Sequence, residues 1–212
     1  MNEQVIKYLK NARAARAEDN SEDAKKFYDM VRTEEPENGE AKFFYQYYSL
    51  YEGTNGQLPT RFNSLTKVLK SSIRFVAESD IGEVEKMDII SAIVSSFVPL
   101  TWSLNRHMNS LTVGSGENKQ LVIPANQIKG ACIDGVIALY ELGDTIDKYF
   151  GNNKEAMKLA ASAWKEAVSL NQKWYAYNYG KSVEEYVAKI QKIEPDYIMP
   201  KKAGCISFEN KK

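Results

Sequence analysis

Hydrophobic and small residues recur every three or four positions through most of the chain, which is the spacing of amphipathic α-helices. Near the N-terminus two such sets are separated by an acidic segment at residues 18–23, so the pattern predicts two helices and not one. The apolar positions of this pair are Val5, Tyr8, Leu9, Ala12 and Ala15, then Ala24, Phe27, Tyr28 and Val31.

Polar residues and prolines mark where these helices begin and end. Asn20 or Ser21 can accept a hydrogen bond from the free N–H groups at the start of the second helix. Pro36 cannot continue that helix, because its ring blocks the helical hydrogen bond and keeps Glu35 extended. Asn38 is a second cap, and a third helix is predicted from about Gly39.

The same spacing predicts longer helices downstream, after a turn-forming segment at Gly53–Pro59 that has no periodicity. We therefore predict an all-α protein. It consists of a helical unit at 1–53, a bundle of longer antiparallel helices at 60–195 that packs with it as one globule, and a mobile tail at 196–212. The downstream helices are predicted from Arg61 to Ala77, from Glu83 towards His107, from Pro124 to Phe150, after Asn153, and from Ser182 to Pro195. Ser182 and Glu185 form a capping box that opens the last of them.

Two glycines interrupt the helix that ends near Phe150. Glycine costs about 1 kcal/mol relative to alanine inside a helix, so Gly130 and Gly135 indicate that another backbone passes close by. The uncharged helix around 89–104 precedes it across a polar loop at 114–120. We expect these two helices to form an antiparallel hairpin in the core.

The first two helices and the proline after them resemble a tetratricopeptide (TPR) repeat, a helical hairpin with a period of about 34 residues. The matching residues are Tyr8, Ala12, Ala24, Tyr28, Val31 and Pro36. Asn11, Ala15 and Lys42 depart from the family pattern. The resemblance is to bacterial TPR-like proteins of unassigned function, and it implies a right-handed, solenoid-like α-α superhelix.

The composition and the N-terminal sequence argue against a nucleic-acid partner and against secretion. The 28 Lys and Arg residues balance 28 Asp and Glu residues, and the absence of a basic excess argues against binding to nucleic acid. The N-terminus lacks the features of a secretory signal, so we expect a cytoplasmic location. Serines and Pro99 interrupt the uncharged stretch from Ile89 to Leu104, which favours a buried core helix over a membrane span.

No residue pattern predicts catalysis, a metal or a cofactor. His107 is the only histidine, and Leu104 occupies the position where a di-metal helix needs glutamate. The two cysteines do not form a zinc motif, and the glycine-rich segment at 114–119 lacks the end of a phosphate-binding loop. Glu141, Asp144 and Asp147 share one helix face and could hold a cation, but an ion pair with Lys148 is the preferred interpretation.

The third helix carries aromatic residues on nearly all its sides, between Phe43 and Tyr51. These rings either pack on the downstream bundle or line a groove. In TPR proteins the first helix of each hairpin lines the groove, so the resemblance implies a protein- or peptide-binding surface at Ile6, Leu9, Arg13, Arg16, Phe43, Tyr47 and Tyr51.

Arg13 and Arg16 beside tyrosines favour an acidic or C-terminal peptide. Replacing both is expected to weaken its capture without lowering the melting temperature. We therefore predict a non-catalytic protein-interaction module or scaffold. Two alternatives stay open: a ligand-binding bundle with an apolar pocket, and a self-associating structural protein that uses the third helix and the aromatic residues at 174–179 to form a homo-oligomer.

Overall fold

The computed structural model describes residues 2–52, 57–111, 125–175 and 182–201. These residues form helices and turns and contain no strand, which confirms the all-α prediction. The helices are α1 (Glu3–Ala17), α2 (Ser21–Glu34), α3 (Gly39–Ser49), α4 (Leu58–Glu78), α5 (Glu83–Leu111), α6 (Ala125–Phe150), α7 (Lys154–Leu170), which continues into a π-helical turn (Asn171–Tyr175), and α8 (Val183–Ile193).

Some predictions fall outside the described residues. These are the polar loop at 114–120, the helix start at Pro124 and the part of the tail after Lys201. The side chains of His107, Trp174, Tyr175, Tyr177 and Tyr179 also lie outside the described part.

The predicted caps are present where the structure describes them. Asn20 and Asn38 accept hydrogen bonds from the backbone N–H groups of Asp23 and Ala41, at 3.2 and 3.0 Å. Between them Glu35 leaves the helical conformation with φ −130°, as the following proline requires. Ser182 caps α8 in the same way, through the N–H of Glu185 at 3.3 Å. These short polar signals fix the helix ends locally.

The first four helices pack in chain order, each against the next. Helix α4 then packs chiefly on α6, and α6, α7 and α8 continue as successive neighbours. Helix α5 interrupts this order: it contacts α3, α4, α6 and α7. The predicted α5–α6 hairpin is therefore only partly present, because α6 packs more extensively on α4 and α7 than on α5.

Helix α5 is also long and apolar enough to cross a membrane, and no other helix in the described ranges meets both criteria. Core helices of soluble proteins have the same length and composition. In this structure the buried side of α5, which includes Ile90, Ile93 and Phe97, faces the other helices.

Two glycines explain the close packing of α6: Gly143, and Gly135, which is one of the two that the sequence singles out. A Cβ atom at Gly143 would lie 2.3 Å from Nε1 of Trp164, which is 1% exposed on α7. At Gly135 the same atom would approach the Phe62 ring of α4 to 3.0 Å, and Thr101 of α5 to 3.1 Å. At Gly130 it would meet no described residue within 4 Å, so within the described part of the chain the expected close neighbour at Gly130 is absent.

This difference gives a matched pair of variants within one helix. Gly143→Ala should lower the free energy of unfolding by about 1 to 3 kcal/mol, because the buried indole has no space to move. Gly130→Ala should raise it by up to about 1 kcal/mol through helix propensity. Urea unfolding measures both changes in free energy, provided that the m-values stay the same as in the wild type. Changes of the same sign in the two variants would contradict the packing described.

Candidate functional site

Glu40 is a buried carboxylate near the N-terminal end of the helix stack, and its side chain is 2% exposed. Arg13 donates to it from Nε at 3.0 Å and from Nη2 at 2.6 Å. The hydroxyl of Tyr28 donates to Oε1 at 2.9 Å, and Arg16 lies at 3.4 Å from the same oxygen. A buried carboxylate needs such partners, because an unpaired charge in the interior is costly.

Local sequence features place Glu40 at this point. Asn38 caps α3, so Glu40 falls in its first turn, where the helix dipole favours a negative charge. Gly39 allows the start of α3 to press against α4: a Cβ atom there would lie 2.3 Å from the carbonyl oxygen of Ser72. Glu40 also shares its helix face with the buried rings of Phe43 and Phe44.

Arg13 extends the network to α5, where Nη2 lies 2.8 Å from Oε1 of Glu85. Burial by itself lowers the pKa of Arg13, but hydrogen bonds and charges from Glu40 and Glu85 outweigh it and raise the pKa above its usual value. Burial and then the charge of Glu40 raise the pKa of Tyr28, so its hydroxyl stays protonated as a donor. The network thus connects α1, α2, α3 and α5.

A pocket of about 640 Å³ lies beside this network. It is bounded by α1, the turn between α2 and α3, the end of α4 and the start of α5. Arg13, Glu40 and Glu85 form part of its wall. Its apolar lining comes from residues of all these segments: Leu9, Pro36, Phe75, Val76, Ile81 and Ile89.

The structure distributes the predicted partner-binding residues over several environments. Leu9 and Arg13 line the large pocket. Arg16, Tyr47 and Tyr51 line a second cleft of about 270 Å³, together with Ser96 of α5. Phe43 is completely buried and Ile6 is 53% exposed, and neither lines either cavity. The predicted set is therefore not brought together as one continuous groove.

Most of the aromatic residues of α3 pack internally. Phe44 is fully buried, stacks on Tyr28 at 5.2 Å between ring centroids, and lies 4.3 Å below the guanidinium of Arg16. Tyr48 is 8% exposed, whereas Tyr51 is 64% exposed. Phe44 and Tyr48 therefore pack against α1 and α2. Tyr47 and Tyr51 lie beside the smaller cleft.

Several pocket residues were missed at the sequence level, above all Glu40, Glu85 and Ile81. A signal for Glu40 existed: it stands three and four positions before Phe43 and Phe44, on the face that a core helix buries. Nothing in the sequence pairs Arg13 with Glu85, because 72 positions separate them.

No protein-family model matches the chain, and neither a curated protein nor a solved structure is significantly similar to it. The site must therefore be interpreted from its own geometry.

Among the described residues, no three His, Cys, Asp or Glu side chains cluster as metal ligands. Asp144, one of the three carboxylates aligned on α6, accepts hydrogen bonds from Tyr186 at 2.6 Å and Lys189 at 2.9 Å, both on α8. This carboxylate therefore joins α6 to α8 through an ion pair.

Glu40→Gln should lower the free energy of unfolding by about 2 to 3 kcal/mol, since it leaves two guanidinium groups without their buried counter-charge. The loss stays below that of a fully buried pair because Arg13 and Arg16 are 34% and 28% exposed. Glu85→Gln, at a carboxylate that is 41% exposed, should cost at most about 1 kcal/mol. Equal losses in denaturant unfolding would mean that Glu40 has no special role.

Proposed function

We propose that this protein is a non-catalytic interaction module that binds a peptide segment of a partner protein in the pocket beside Glu40. One observation carries the proposal: a surface pocket of about 640 Å³ with an apolar lining, formed where four sequence-distant segments meet. Binding pockets are typically about 300 to 1,000 Å³, mostly apolar, with a few fixed polar groups. The Glu40 network supplies such fixed groups in the wall.

We further propose that the N-terminal helices form a TPR-like superhelix. The chain-order packing of α1 to α4 supports this, because stacked helical hairpins contact mainly their neighbours. Helices α1 and α3, the first of each proposed hairpin, both contribute residues to the pocket. In this arrangement α5 crosses the groove side and divides it into the two clefts.

The binding test cannot rely on Arg13 and Arg16. Both hold the buried carboxylate of Glu40, so replacing them is expected to lower the melting temperature as well as any binding. A residue at the rim is the better choice. Ser79 lies at the end of α4, is partly buried and lines the pocket, and its hydroxyl donates only to the carbonyl of Val76 at 2.7 Å.

Ser79→Trp should fill the pocket at the cost of one hydrogen bond, about 1 kcal/mol. Ser95→Trp is the matched control, because Ser95 is exposed on α5 and does not line the pocket. A phage library of random 12-residue peptides is selected on the wild-type protein. We expect selected peptides to bind wild type and Ser95→Trp alike, and Ser79→Trp about tenfold or more weakly.

Two results would contradict the proposal. One is a selection that enriches no peptide, and the other is a set of peptides that binds Ser79→Trp as tightly as wild type. Circular dichroism melting of each variant confirms that any loss of binding is not a loss of fold.

The same pocket is large enough for a small apolar ligand, which is the second candidate. Native mass spectrometry of protein purified from its host distinguishes the two: a bound small molecule that Ser79→Trp removes would favour the second.

A further inference from the structure

The charged residues that line the large pocket are mostly acidic. Five are glutamates and one is an arginine. The arginine is Arg13, whose guanidinium is already engaged by Glu40 at 2.6 Å and Glu85 at 2.8 Å. An incoming carboxylate would have to compete with both for the same charge, so the pocket wall offers no unneutralised cation of its own.

Two of the three nearest cations around the pocket are paired with carboxylates, and the third, Lys42, lies over an aromatic ring. Arg74 pairs with Glu78 at 3.7 Å, and its guanidinium carbon lies 4.8 Å from the Phe75 ring centroid. Lys42 lies over the same ring, with Nζ also at 4.8 Å. Nη1 of Arg16 lies 3.4 Å from Oε1 of Glu40. Only Lys42 among these cations has no carboxylate partner within the described residues.

Glu35 and Glu37 are the lining carboxylates that make no ion pair with any described residue. They flank Pro36 in the turn between α2 and α3. Backbone hydrogen bonds fix this turn: Glu35 donates to the carbonyl of Val31 at 2.8 Å, and Asn38 donates to that of Glu35 at 2.9 Å. The two carboxylates therefore stand at the rim on a backbone that is already ordered.

We infer, on the basis of the proposed function, that the peptide bound here is basic and carries an apolar anchor. A Lys or Arg side chain approaches Glu35 and Glu37, and a neighbouring aliphatic or aromatic side chain lies against Val76, Ile81 and Ile89. Charge complementarity selects this occupant. A basic peptide is the opposite of the acidic partner that Arg13 and Arg16 indicate in the sequence. The reason is that Glu40 and Glu85 together balance the charges of these two arginines.

The amino-acid composition of the peptides selected on the wild-type protein is the first measurement. We expect Lys and Arg to be enriched over the unselected library in peptides that Ser79→Trp fails to bind. The most enriched basic peptide, labelled with fluorescein, is then titrated with each variant by fluorescence anisotropy.

The double variant Glu35→Gln with Glu37→Gln should bind this peptide about fivefold more weakly than wild type, because it loses two partly exposed ion pairs. Glu18→Gln with Glu22→Gln is the control: it removes the same number of charges, from two exposed carboxylates at the end of α1 and the start of α2 that do not line the pocket. The affinity of this control variant for the peptide should stay within twofold of the wild-type affinity. Raising the salt concentration should weaken binding to wild type more than to the Glu35 and Glu37 variant.

Some selected peptides bind the wild-type protein but not Ser79→Trp, and we call them pocket-dependent. If these peptides show no enrichment of Lys and Arg, or are enriched in Asp and Glu, the inference is overturned and the proposed function still stands. Equal weakening by the two pairs of variants would also overturn it, because it would indicate a general attraction to an acidic surface. No pocket-dependent peptide at all would overturn both the inference and the proposed function.

Discussion

A carboxylate removed from water must be neutralised by its surroundings, and in this protein that requirement falls on Glu40. Its partners come from two other helices: Arg13 and Arg16 from α1, and Tyr28 from α2. Removing any of them would leave polar groups buried with fewer hydrogen bonds than they need. The position of α3 is thereby tied to the hairpin that precedes it, in addition to the apolar contacts between them.

The same network shapes the neighbouring pocket and the ligand that we propose for it. Arg13 links Glu40 to Glu85, so the start of α5 is held beside α1, and the space between them becomes a bounded cavity. Neutralisation of the arginines also changes the electrostatic character of the surface. What remains for a ligand is an apolar lining with two carboxylates at the rim, which favours a cation over an anion.

The local features of the fold could be predicted from sequence. Asn20, Asn38 and Ser182 cap helices as expected, because a cap depends on residues two or three positions away. The order of packing could not be predicted. Hydrophobic spacing shows that α4 and α6 each have an apolar face, but it contains no information that they pack on each other past α5.

The candidate site shows the same limit. Leu9 and Arg13 were expected at a binding surface, and they line the pocket. Phe43 was expected there too but is completely buried, because its face of α3 is also the face that packs in the core. The partners of Arg13 are 27 and 72 positions away. Pairings over such distances follow from the tertiary fold, which no local pattern encodes.

Amide hydrogen exchange of Glu40→Gln, compared with wild type, tests most directly whether Glu40 holds the N-terminal helices and α5 around the pocket. Exchange should become faster in α1 and in the N-terminal halves of α3 and α5 beyond their first turns, whose amides have no intrahelical hydrogen bond, and stay unchanged in α6 and α7. Unchanged protection in α1 and α5, or an equal loss in every helix, would contradict the role assigned to this carboxylate.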